Sequence, residues 1–151
     1  PDFINLVKMV IKNHGINPTL LKLELTESIL LESMEDTIAS MHALNELGIH
    51  FALDDFGTGY SSLQYLKRLP LYQLKIDKSF VQDIARDDGD QAIVQTIIAM
   101  ANNLQLNVIA EGVETEEQKE LLLNKGCHTY QGYLFGKPVP IEQFNGALNK
   151  N

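Results

Sequence analysis

Four short runs in this chain alternate with a period of two, a fifth is a short buried apolar run, and stretches of helical period separate them. Leu21, Leu23 and Leu25 alternate with Lys22, Glu24 and Thr26, and Ile49, Phe51 and Leu53 lead into the adjacent carboxylates Asp54 and Asp55. Tyr72, Leu74 and Ile76 alternate with Gln73, Lys75 and Asp77. Val108, Ile109 and Ala110 end in Glu111, and a run from His128 to Phe135 places Thr129, Gln131 and Tyr133 on one face. Successive strand side chains point to opposite sides, so each run is a strand with an apolar face and a face free for other work. Strands alternating with helices pair in parallel through right-handed crossovers. The expected class is α/β, built of parallel βα repeats.

The helices carry their own punctuation. Phe3, Leu6, Val7, Val10 and Ile11 recur at helical spacing before Gly15, and Ser33 with Asp36 predicts an N-cap for a helix running to Gly48. Leu63, Leu66 and Leu69 mark a short helix stopped by Pro70, and Ile93, Val94, Ile97, Ile98, Ala101 and Leu104 form one core-facing stripe. Thr115 and Gln118 form a capping box for a helix that ends at Gly126, and Ile141, Phe144 and Leu148 lie on a closing helix.

At 151 residues, 44% of them hydrophobic, the chain has the size of one globular domain with a real core. A net charge of -8 argues against a polymeric nucleic acid or an anionic membrane as partner, because both need surplus Lys and Arg. The single Cys127 cannot form an internal disulfide, which suits the cytoplasm. The chain begins at Pro1, directly before a helical pattern, and reads as a piece of something longer.

Function gathers at the ends of the strands. Glu24, Asp54 with Asp55, Lys75 with Asp77, Glu111 and Gln131 all fall at or near C-terminal strand ends, the face on which a (β/α)8 barrel builds its chemistry. In the stretch Phe51 to Ser62, two carboxylates precede a loop with Gly57 and Gly59, and Ser61 and Ser62 open the short helix. Adjacent carboxylates repel unless a cation lies beside them, and a glycine loop at a helix start offers N–H groups to an anion. The pattern fits a metal-and-phosphate corner, although Asp54 is expected on one face of its strand and Asp55 at the mouth.

Taken in order, Glu24-Leu25-Thr26-Glu27-Ser28, Asp54-Asp55-Phe56-Gly57-Thr58-Gly59-Tyr60-Ser61-Ser62, Leu74-Lys75-Ile76-Asp77, Ala110-Glu111-Gly112-Val113-Glu114-Thr115 and Gln131-Gly132-Tyr133 resemble the EAL domain family. Its members are bacterial phosphodiesterases that hydrolyse cyclic di-GMP to linear pGpG on a barrel related to the TIM fold. The resemblance implies that Glu24 and Asp54 are ligands of one divalent ion and Asp55 of a second, both Mg2+ or Mn2+. It places Lys75 beside the attacking water, makes Glu111 a metal ligand or general base, and gives Glu27 the role of supporting the glycine loop. Gln131 falls at a catalytic water contact, and Glu114 and Tyr133 at substrate contacts.

The sequence contains no Glu-Ala-Leu, the motif that names the family, and an upstream Asn ligand is missing too. A whole barrel takes about 250 residues, so this is expected to be a partial (β/α)8 TIM-like barrel, with about five strands present and about three missing at the N-terminus. Residues 1–151 would be the C-terminal part of a single EAL-type domain. The expected consequences are weak metal binding, little hydrolysis by this piece alone, and self-association through open sheet edges. Implied partners are cyclic di-GMP and an upstream sensory or GGDEF domain in a parent that could carry a membrane anchor. Two other readings are a non-catalytic cyclic di-GMP-binding module and a receiver-like phosphoacceptor domain. Receivers, however, place the acidic pair after their first strand, whereas here it follows the second.

Overall fold

The structure, a computed structural model, describes residues 3–26, 34–57 and 66–148. Helix α1 (Phe3–His14) leads through a 3-10 turn at Pro18–Leu20 into β1 (Lys22–Thr26). Then follow α2 (Met34–Asn45), β2 (His50–Phe56), β3 (Gln73–Ile76), α3 (Lys78–Gln82), α4 (Asp88–Asn103), β4 (Asn107–Glu111), α5 (Glu116–Asn124), β5 (Tyr130–Gln131) and α6 (Ile141–Leu148). The five strands form one sheet in chain order, and every pair is parallel.

Register sorts the side chains onto two faces. Leu25, Leu53, Leu74 and Val108 lie in one lateral row, and Ile76 and Ala110 continue that face. Here the sheet meets its helices: Leu53, Leu74, Ile76, Val94, Ile98, Ala110 and Leu122 are all fully buried or nearly so. The opposite face carries Glu24, Ala52 and Gln73 in one row and Lys75 with Ile109 in the next. Polar partners cross it: Lys22 Nζ donates to Gln73 Oε1 at 2.6 Å, and Lys75 Nζ to Glu24 Oε2 at 2.7 Å. A helix-covered apolar face backed by a polar one is what a strand of a barrel wall requires.

The expected elements appear with three differences. Helix α3 was not foreseen; it is five residues long, too short for a periodic stripe, and its signal is the cap, because Asp77 accepts from Ser79 N at 2.9 Å. The last strand is Tyr130–Gln131 alone, so Tyr133 lies in a turn rather than on a strand face. Leu134 N donates to Val113 O, and Phe135 N to Gly132 O, which ends the ladder after Gln131. Third, β2 runs on through Asp54 and Asp55 to Phe56, with a bulge. The Ser33 cap, Glu27, and the loop and helix start from residue 58 to 65 fall outside the described residues.

Candidate active site

The bulge in β2 shapes the acidic corner. Leu53 pairs with Leu74 and Phe56 with Ile76, so Asp54 and Asp55 together oppose the single residue Lys75. Asp55 adopts φ 54°, a left-handed conformation that non-glycine residues take at some cost, and its N–H donates to Asp54 Oδ1 at 3.0 Å. One extra residue restores Phe56 to the buried face and leaves two successive carboxylates at the strand end.

Lys75 is the centre of the site. Its Nζ lies 2.7 Å from Glu24 Oε2, 2.9 Å from Glu111 Oε1 and 3.1 Å from Asp54 Oδ1, so β1, β2 and β4 each bring a carboxylate to a lysine on β3. The lysine side chain is 6% exposed, against 48% for Glu24, 22% for Asp54 and 19% for Glu111. Burial alone would lower the lysine's pKa, but its hydrogen bonds to Glu24, Glu111 and Asp54 outweigh burial and hold it above the ordinary lysine value. Lys75 is therefore a fixed ammonium donor.

Asp77 joins the same corner. It caps α3, accepting from the Ser79 amide and hydroxyl, and its carboxyl lies close to that of Asp55. Burial works to raise Asp77, yet the Ser79 bonds hold it below the ordinary aspartate value. Asp55 is raised, first by burial and then by the charges of Asp54 and Asp77. The sequence puts Asp77 among the strand-end residues without giving it a capping role; an Asp two residues before a Ser at the end of a strand is the signal that marks the cap.

Beside Glu111 a groove of about 360 Å³ is lined by Lys78, Gln82, Glu114, Gln131 and Tyr133. Tyr133 is 57% exposed, and Lys137 Nζ stands 5.2 Å from its ring centre. Glu24, Asp54, Lys75 and Glu111 thus meet directly, Asp55 adjoins them, and Gln131, Glu114 and Tyr133 line the groove next door. Glu27 lies outside the described residues.

Among the described residues no group of three or more His, Cys, Asp and Glu side chains forms a metal cage. The carboxylates converge instead on the Lys75 ammonium. Their chemistry nevertheless suits a hard divalent cation, since every donor is an oxygen, and the Asp55–Asp77 contact is one that a cation could replace.

A parallel α/β sheet that gathers carboxylates and a lysine at the C-terminal ends of its strands has the arrangement of a (β/α)8-barrel site. The model of the EAL domain matches residues 1–138, and the chain belongs to that family. It is 44% identical over 145 residues to MucR of Pseudomonas aeruginosa, a bifunctional diguanylate cyclase and cyclic di-GMP phosphodiesterase, a match that takes in 96% of this chain and 21% of MucR. The solved PaMucR phosphodiesterase–c-di-GMP complex superposes with a TM-score of 0.89 at 44% identity, over 93% of this chain and 57% of that one. The manganese and cyclic di-GMP complex of Klebsiella pneumoniae BlrP1 gives 0.84 at 33% identity, over 91% of this chain and 35% of that one. The chain spans roughly a fifth of the length of the curated relatives it matches, 18% to 24%. Its five parallel strands correspond to part of the EAL barrel. No helix among the described residues is long and apolar enough to cross a membrane.

Proposed function

We propose that the C-terminal edge of this sheet is a phosphodiester-hydrolysing site for cyclic di-GMP, and that residues 1–151 make up the C-terminal part of one EAL-type domain. One observation carries the reading: Glu24, Asp54 and Glu111, from three strands, converge within 3.1 Å on Lys75. That the relative MucR is a cyclic di-GMP phosphodiesterase supplies the substrate class.

In this reading Glu24 and Asp54 hold one Mg2+ or Mn2+ and Asp55 a second, with Glu111 as a further ligand or as proton acceptor. Such ions, when bound, lower the pKa of a coordinated water and offset charge on the phosphoryl oxygens. The protein's own groups do the rest. Lys75, permanently charged, donates to the water or to a phosphoryl oxygen but cannot take a proton. Glu111 accepts the proton that the water gives up as it adds to phosphorus, the bond from phosphorus to the ribose 3′ oxygen breaks, and that oxygen leaves with a proton returned by Glu111 or taken from solvent; Gln131 offers its amide to the attacking water. Glu114 and Tyr133 hold the nucleotide in the groove.

The sequence lacks the Glu of a Glu-Ala-Leu motif, so the first cation would keep only part of its cage. Incubating the chain with cyclic di-GMP and Mn2+, and following pGpG by chromatography against Glu111→Ala, tests the reading. The nucleotide should bind with at most slow turnover, and what turnover there is should vanish in the variant. A chain that neither binds nor cleaves would contradict it.

A further inference from the structure

We propose that Gln118 is a positioning residue that fixes the width of the nucleotide groove beside Glu111; this deepens the proposed function and rests on it. The groove has two walls. One is α3, whose Lys78 and Gln82 lie one helical turn apart on a shared face, and the other is the loop after β4 that carries Glu114.

At one end the walls touch. A Cβ at Gly112, where φ is +71°, would lie 2.7 Å from Lys78 Cβ, so only glycine allows the start of α3 to approach the loop so closely. At the other end Gln118 joins them. Its side chain is almost wholly shielded, and Oε1 accepts from Glu114 N at 2.8 Å and from Thr115 N at 3.0 Å. Nε2 donates across to Gln82 O at 3.1 Å, at the last residue of α3.

The bond from Thr115 N, together with Gln118 N to Thr115 Oγ1 at 3.2 Å, is an ordinary capping box, and Glu114 N is a further donor to the same oxygen; Glu at this position would accept both. The bond from Nε2 is not a cap at all. It needs a donor, which only the amide supplies. One side chain therefore holds the backbone of Glu114 on one wall and the backbone of Gln82 on the other, while the carboxylates around Lys75 are positioned separately by the strand ladder.

The test compares the 151-residue chain with Gln118→Glu, which keeps the cap and loses the bridge, and with Thr115→Ala, which weakens the cap and keeps the bridge. Cyclic di-GMP is titrated in the presence of Ca2+, Mn2+ is titrated alone, and Tm is recorded for each. Gln118→Glu should raise the Kd for the nucleotide about tenfold, the usual effect of one lost buried hydrogen bond, and leave Mn2+ affinity unchanged. Thr115→Ala should lower Tm and leave the nucleotide Kd unchanged. If the introduced carboxylate unfolds the chain, Gln118→Met, uncharged and of similar volume, loses the bridge together with the Oε1 cap bonds, and the comparison with Thr115→Ala then separates the bridge from the cap. Nucleotide affinity that stays at the wild-type value in the Gln118 variants, or that falls in all variants in step with Tm, would overturn the proposal while leaving the site reading intact. A wild-type chain that takes up no cyclic di-GMP would overturn the site reading and this inference with it.

Discussion

The carboxyl groups of Asp55 and Asp77 lie close together at the mouth of the sheet and are pushed in opposite directions: burial and then the charges of Asp54 and Asp77 raise Asp55, while the bonds from Ser79 outweigh burial and hold Asp77 below the ordinary aspartate value. Asp77 also caps α3, so Asp77→Ala should cost about 1 kcal/mol near neutral pH. The value of Asp77 in the fold is depressed, so its contribution is present above the ordinary 3.8 and is lost as pH falls through the lower folded value. Melting curves of the two proteins should therefore converge as the pH falls below the ordinary aspartate value; a gap that does not narrow in acid would contradict the depressed value of Asp77.

Lys75 is the only cation shown in contact with Glu24, Asp54 and Glu111 among the described residues. Lys75→Met leaves three carboxylates facing one another and should destabilise the chain by about 2–3 kcal/mol, less than a fully buried pair because Glu24 is half exposed. For a domain of this size that is roughly 5–10 °C in Tm. Mn2+ should restore more stability to the variant than it adds to the wild type. An equal response in both would mean that these oxygens do not hold the ion.

Gly132 admits no side chain. A Cβ there would lie 2.1 Å from Val113 O and 2.3 Å from Val113 N, and backbone atoms cannot swing aside. Gly132→Ala should open the corner between β4 and β5, costing roughly 3 kcal/mol or more, the range of severe backbone effects. Circular dichroism melts would show it, and an unchanged Tm would refute it.

Cys127 is 1% exposed and donates to Thr129 O at 3.3 Å. Burial raises its pKa despite hydrogen bonds from the backbone, so the thiol stays neutral at physiological pH and poor as a nucleophile. A maleimide should label it only as fast as the chain unfolds. Rapid labelling of the folded chain would contradict this.

The alternation of apolar residues made the parallel sheet and its polar face readable, since a period of two fixes which side chains share a face. What periodicity could not show was the bulge. Alternation puts Asp54 on one face of its strand and Asp55 at the mouth, but a pleated strand gives no reason for Asp55 to join Asp54 opposite Lys75; that needs the left-handed turn at Asp55. The same limit hid α3, whose five residues are too few for a stripe, and shortened β5, where contact between Gly132 and Val113 overrides the alternation through Tyr133. The capping box at Thr115 and Gln118 was legible because it is local. The bond from Gln118 to Gln82 was not, because it spans distant segments.

The most direct test of the central claim is calorimetric titration of cyclic di-GMP into this chain with and without Ca2+ or Mn2+, repeated on Asp54→Asn and Glu111→Ala. If the convergent carboxylates form the phosphodiester site, binding requires the cation and is lost or strongly weakened in both variants. Binding that ignores both the cation and these two substitutions would place the nucleotide elsewhere and contradict the account.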